Sequence, residues 1–263
     1  MAVLALKLLL APGFVVSASL VARRFGPRVG GLVGGLPVVA GPILLVIAIV
    51  HGAGFGADAS AASLVGLVSL TGFVVTYSEL CRAGASWHVA LSAGWITFLG
   101  ATAIFSAFSL SPAVALALAF AVFGAALALV RPPAGAAVPS GPPPAWDLPV
   151  RAACAAAMVL ALTATSAGLG AHVSGLLAPF PIITSVLAAF THAQRGSADA
   201  IRLLRGMLVG FFSFALFSFT AAVALRPLGV AGGFAVATLA AAATPVAGLT
   251  ATAARSGRGS RED

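Results

Sequence analysis

The sequence predicts an all-α polytopic membrane protein of about nine transmembrane helices, arranged as two inverted four-helix repeats joined by a linker helix. Three observations predict it: a composition too apolar for a water-facing surface, apolar runs of span length, and a duplicated Gly-Leu-x4-Pro pattern. Of 263 residues, 60% are hydrophobic and 8% charged, and the mean hydropathy is +1.11. A soluble domain carries about 25% charged residues because its surface faces water. Six acidic and fourteen basic side chains cannot coat a globule of this length. In lipid every backbone polar group must be paired internally, which leaves helices or a closed barrel. Barrel strands alternate in polarity over about ten residues, whereas 113–130 and 207–225 are long apolar runs without that alternation.

A span needs about 20 apolar residues. That ruler places spans near 2–22, 29–52, 61–80, 87–108, 112–130, 151–171, 173–192, 203–225 and 229–250. Residues 1–108 then form the first four-helix repeat, and 109–149 a linker helix with a Pro-rich cytoplasmic loop. Residues 150–254 form the second repeat, and 255–263 a basic cytoplasmic tail. Prolines in 131–149 favour extended geometry, with Trp146 placed to anchor at the interface. Ser17-Ala18-Ser19 resembles a cleavage site. A signal peptide, however, puts its charge before the apolar stretch, and here Arg23, Arg24 and Arg28 follow it.

Cytoplasmic loops collect Lys and Arg. With nine spans and an outside N-terminus, only Lys7 and Arg226 of the fourteen cations fall outside. The expected location is a bacterial inner membrane, multi-pass, with the C-terminus cytoplasmic. The bacterial assignment follows the Arg, Ala and Gly bias. The net charge of +8 sits between apolar runs, where it sets orientation, so the lipid bilayer is the expected partner and nucleic acid is not.

Gly31-Leu32-x4-Pro37, then an apolar run and His51-x6-Asp58, has a counterpart in Gly175-Leu176-x4-Pro181 and His192-x6-Asp199. Upstream, Ser17-Ala18-x-Leu20 parallels Ser166-Ala167-x-Leu169. An odd span between two four-span units reverses the second. Loop charge agrees: Arg23, Arg24 and Arg28 have no counterpart at 170–174. The segment 52–60 has no cation, while its counterpart carries Arg195, Arg202 and Arg205.

Each repeat's second span is interrupted by Gly and Pro. Proline removes a helix hydrogen bond and clashes with the preceding turn, and in hydrocarbon the freed groups need another helix, a water or a ligand. Gly/Pro-interrupted spans at matching places in two halves point to a transporter binding site, because broken ends offer amides to anions and carbonyls to cations. The candidate substrate-binding residues are Gly34, Gly35, Pro37, Gly41, Pro42, Pro179, Pro181, Thr184 and Ser185. The competing reading is helix packing, with Gly30/Gly34, Gly31/Gly35 and Gly206/Gly210 as small-xxx-small pairs. Packing of this kind also suits a homodimer.

Glu79, His51 and His192 are candidates for ion coupling, against surface pairing of Glu79 with Arg82 and solvated helix ends for the histidines. Ser213, Ser218 and Thr220 add hydroxyls that bond a ligand or a helix carbonyl. Cys81 and Cys154 are single and far apart, without metal-ligand spacing, and no metal or cofactor is expected. The chain has no H-E-x-x-H, G-x-S-x-G or G-x-x-x-x-G-K-[ST], so an enzyme is not expected.

On the duplicated Gly-Leu-x4-Pro span, the chain resembles inverted-repeat secondary transporters of the drug/metabolite-exporter or bile-acid/arsenite-carrier style. It is also similar to small bacterial inner-membrane proteins with a phrase like Ser174-Gly175-Leu176-Leu177-Ala178-Pro179-Phe180-Pro181. The resemblance implies carriage of a small molecule by alternating access. The alternative is a non-transporting scaffold or accessory subunit whose repeats only pack.

Overall fold

The computed structural model describes residues 2–38, 40–132, 144–165 and 170–259, which are helical with short connections and contain no strand. The Ser166-Ala167-x-Leu169 parallel, most of the Pro-rich loop and the last four residues lie outside the described residues. The elements are α1 (Ala2–Phe25), α2 (Pro27–Gly34), α3 (Ala40–His51), α4 (Ala53–Arg82) and α5 (Trp87–Phe105), then α6 (Pro112–Leu129), α7 (Asp147–Thr165), α8 (Ala171–Leu177), α9 (Ile182–Arg195) and α10 (Ser197–Gly259). Five stretches are long and apolar enough to cross a membrane: Ala53–Arg82, Trp87–Phe105, Pro112–Leu129, His172–Arg195 and Ser197–Ala243. The last has 47 residues, about twice a bilayer's need, and it turns at Gly229 (φ 70°, ψ 179°). We call residues 197–228 and 230–259 its two arms. Ile96, Ile104 and Leu239 stay exposed on the outer surface, where lipid rather than water accepts apolar side chains.

Two expected loops are absent. The segment 52–60 is helical from Ala53, and Arg202 and Arg205 lie on α10 rather than in a connection. Gly52 (φ 92°) and Gly196 (φ 83°) make these turns alone, since a residue without Cβ reaches the left-handed region at no steric cost. The helices beyond them therefore start up to eight residues earlier than apolarity alone indicated. The tail expected from 255 is helical to Gly259.

The spans broken in the sequence are broken in the fold, and in the same way. Val38 N–H donates to Leu36 O (2.8 Å) and Ile182 N–H donates to Phe180 O (2.7 Å). These are three-residue turns centred on Pro37 and Pro181, and Pro181 has φ −73°, ψ 47°, in the inverse γ-turn range that the proline ring favours. Just before each turn, Leu36 N–H donates to Val33 O and Phe180 N–H to Leu177 O; just after, Gly41 N–H donates to Pro37 O and Ser185 N–H to Pro181 O. Every partner in one set lies 144 positions from its partner in the other (181 less 37, for instance).

The same spacing relates Gly26 to Gly170, Gly31 to Gly175 and Gly52 to Gly196. This register corrects one expected match. His51, the last residue of α3, corresponds to Arg195, the last of α9, and not to His192. The equal His-to-Asp spacings are therefore not part of the repeat.

Close packing is reciprocal in the same register. A methyl group added to Gly31 would collide with the Leu203 carbonyl, and one added to Gly175 with the Ala59 carbonyl. Likewise Gly66 faces the Leu176 carbonyl, and Gly210 the Leu32 carbonyl. Thus α2 lies against α10 as α8 lies against α4. Glycine at each crossing lets the backbones approach this closely. Helix α6 packs against both α4 and α10, with Phe123 set edge-on to Phe212 (5.2 Å).

Candidate functional site

The two broken spans face each other. Gly34, Gly35, Pro179 and Thr184 line one small void of about 50 Å³, closed by Phe211, Phe214 and Leu70. A methyl group on Gly34 would lie 3.1 Å from Leu187 and 3.6 Å from Ile183 of the opposite broken span. Four of the nine residues singled out as a binding site are therefore brought together at the meeting of the breaks. There is little room for a ligand there.

Pro37, Gly41 and Pro42 open onto a second cavity of about 390 Å³ between the first break and both arms of α10. Its other walls include Leu36, Leu45, Ser213, Phe217, Phe234, Thr238, Ala241 and Ala242. Among the described residues no charged side chain lines it. Ser213 Oγ donates to Ala241 O (2.7 Å) and Thr238 Oγ1 donates to Phe234 O (2.8 Å), so both hydroxyl protons are engaged and their lone pairs remain. The volume falls within the ~300–1,000 Å³ usual for small-molecule sites.

The second break has different surroundings. Trp95 of α5 donates its indole N–H to Ser185 Oγ (2.8 Å). The Trp95 ring lies 6.3 Å from Phe180, and Phe98 meets Phe180 edge-on at 5.4 Å. Pro181 is buried beside them. In register, Phe180 and Ser185 correspond to Leu36 and Gly41, two walls of the open cavity. Trp95 thus fills, beside the second break, the kind of space left open beside the first.

The proposed coupling residues do not converge. Glu79 accepts from Arg82 (3.0 Å), both side chains about half exposed. His51 is exposed, its ring stacked on Phe55 at 4.6 Å. His192 is partly buried, with Nδ1 3.4 Å from both Tyr77 OH and Cys81 Sγ. No group of three His, Cys, Asp or Glu side chains able to hold a metal occurs among the described residues.

The strongest polar cluster went unrecognised in the sequence. Asp147, fully buried, accepts from Arg23 of α1, from Arg151 Nε (2.9 Å) and from Gln194 Nε2 of α9 (2.5 Å). Arg151 also reaches Gln194 Oε1 (3.3 Å) and lies over the Phe190 ring at 4.8 Å. Burial alone would raise the Asp147 pKa, but hydrogen bonds from Gln194, Arg151 and Arg23 outweigh it and hold the carboxyl below its ordinary value. The signal available was Asp147 and Arg151 at i, i+4 beside a span. At the same end, Arg205 donates to the carbonyls of Leu127 and Val130, capping α6. At the other end Arg226 donates to Asp58 (2.6 Å), beside a further cavity that includes His172.

Comparison with protein-family models, with curated proteins and with solved structures finds no match to this chain.

Proposed function

We propose that the chain is a small secondary carrier or exporter, built from two inverted four-helix units joined by α6. It moves a small molecule by rocking one unit against the other about the broken spans. The observation that carries this reading is the pairing of like breaks with unlike surroundings: an open cavity at Pro37 and an aromatic plug at Pro181. Swapped contacts, in which α2 meets α10 as α8 meets α4, are those of an isologous, two-fold arrangement. Four spans plus α6 place an odd number before the second unit, which inverts it.

In this orientation the ends bearing Arg23, Arg82, Arg151 and Arg205 face the cytoplasm of a bacterial inner membrane, in keeping with the distribution of basic residues. The open cavity then lies in the outer half, since α3 ends and the second arm of α10 begins on that side. Trp95 lies in the inner half. The described arrangement is therefore the outward-facing state, and alternating access empties one space as it fills the other.

Cysteine accessibility tests this in intact cells, in a Cys81→Ala, Cys154→Ala background. Gly54→Cys, an open exposed site, is expected to react with an impermeant thiol reagent, and Ala193→Cys is not. Ala242→Cys, on the wall of the open cavity, is expected to react from outside, and Thr97→Cys, part-buried on α5 against Thr76 of α4, only from inside. Crosslinking the inner end should abolish the Thr97→Cys reaction. Labelling of Gly54→Cys and Ala193→Cys on one face removes the inversion. A Thr97→Cys that never reacts favours the scaffold.

Pro37→Ala and Pro181→Ala are expected to insert and fold, because alanine continues a helix. They are expected to cut the inward Thr97→Cys reaction rate at least tenfold by stiffening the hinge. Unchanged rates in the correctly inserted double variant would remove the breaks from the mechanism.

A further inference from the structure

We propose that the cavity beside Pro37 binds an uncharged, largely apolar molecule of ring size bearing a single N–H or O–H donor, and that Trp95 is the chain's own copy of that ligand beside the second break. The site belongs to the carrier reading above, and the proposal supplies its substrate class.

Two independent observations lead there. The first is the lining. Among the described residues the cavity of about 390 Å³ has no Asp, Glu, Lys, Arg or His on its walls, and an ion without a partner in such a space carries a desolvation cost of many kcal/mol. The hydroxyls of Ser213 and Thr238 spend their protons on helix carbonyls. What they turn to the cavity is acceptor capacity, so a ligand gains by offering a proton and gains nothing by offering a carboxylate or phosphate. Anion capture by the broken helix ends is disfavoured on the same ground.

The second observation is the occupant on the other side. The second break presents Phe180, Pro181 and Ser185 where the first presents Leu36, Pro37 and Gly41. An indole sits against that second set, with its ring near Phe180 and its one N–H donated to a serine oxygen. The helix after α4 supplies that indole and Phe98. The arm in the corresponding place of α10 supplies Thr238, Ala241 and Ala242 to the open cavity instead. Small residues where the other half has a large aromatic ring leave a space with one half's ring missing. A neutral aromatic ligand restores in the first half what Trp95 provides in the second.

The test uses the full chain in lipid nanodiscs and free indole as the probe, with empty nanodiscs subtracted to remove partitioning into lipid. Equilibrium dialysis is expected to give about one saturable indole per wild-type chain. Ala242→Trp, which places a ring into the open cavity, is expected to lower saturable binding at least tenfold. Ala242→Leu serves as the milder filling variant should the tryptophan disturb folding, and should weaken binding several-fold. Trp95→Ala is expected to raise the stoichiometry to about two. No saturable uptake by wild type overturns the proposal, as does equal uptake by wild type and both filling variants, which would assign the indole to another surface. Lipid acyl chains seated in the cavity would appear as a wild-type protein that binds indole only after delipidation, and this too overturns it. Dialysis needs no turnover: absent binding with intact two-sided labelling of Ala242→Cys and Thr97→Cys removes the ligand class alone, and saturable binding without that labelling removes the carrier alone.

Discussion

Gly31→Ala is expected to destabilise the protein by roughly 3 kcal/mol or more, at the upper end of the range for overpacking a tight contact. The added methyl group would run into the Leu203 carbonyl oxygen. That group belongs to the backbone of α10, so no rotamer change relieves the collision. Gly175→Ala is expected to cost a similar amount, because its methyl group meets the Ala59 carbonyl in the corresponding contact. Gly100→Ala and Gly124→Ala are the controls. Both positions are helical with nothing within 4 Å of the added carbon. Alanine's propensity advantage of up to about 1 kcal/mol should leave them neutral or slightly more stable. Reversible unfolding in mixed micelles by SDS titration measures all four. A Gly31→Ala variant as stable as Gly100→Ala would show that α2 and α10 do not approach backbone to backbone. The reciprocal packing would then lose its basis.

This contrast also explains what the sequence could reveal. Periodicity cannot distinguish Gly31 from Gly100, since both are glycines in apolar runs. The Gly-Leu-x4-Pro repeat was legible because prolines inside a span leave few conformations, and an inverse γ-turn at each is one of them. Broken spans at 29–52 and 173–192 were read from that chemistry, and the fold has them at Pro37 and Pro181. The register beyond the breaks was not legible. His51 and His192 offered an attractive match, whereas the actual landmarks were Gly52 and Gly196, two glycines among thirty. Their positive φ, shared among the described residues with Gly26, Gly84 and Gly229, shows only in the fold.

The candidate site divided along similar lines. Glycine and proline marked where the backbone departs from helix, and those residues do surround the two voids. Whether a void is open or filled depends on which side chain of a neighbouring helix points into it. Trp95 is one of three tryptophans, and nothing local connects it to Ser185 ninety positions away. Asp147 was concealed differently. It lies inside the Pro-rich segment 131–149, whose composition points to a cytoplasmic loop, whereas α7 already begins at Asp147.

Asp147→Asn is expected to cost about 3–5 kcal/mol, the usual consequence of removing one member of a buried ion pair and leaving the other uncompensated. Arg151 is 6% exposed and Asp147 fully buried, so water cannot replace the lost charge. The amide preserves shape, and the loss is therefore electrostatic. Replacing both partners, in Asp147→Leu with Arg151→Met, should recover much of the loss, because an apolar pair carries no desolvation penalty.

The pH dependence has a definite sign. The folded carboxyl is held below its ordinary value, so its contribution is fully present above the unfolded pKa of about 3.9 and is lost as pH falls through the folded value. Wild-type stability should therefore drop below about pH 4, with Asp147→Asn showing a smaller drop there. Parallel acid profiles for the two proteins would remove Asp147 as the source.

The position of the cluster gives it a mechanical meaning within the carrier reading. Arg23 belongs to the first unit, while Asp147, Arg151 and Gln194 belong to the second segment of the chain. Separation of the units at this end must break the Arg23–Asp147 contact. Asp147→Asn is thus expected to raise inward labelling of Thr97→Cys as it lowers stability, whereas a purely structural role would lower stability and leave the labelling ratio between the two sides unchanged.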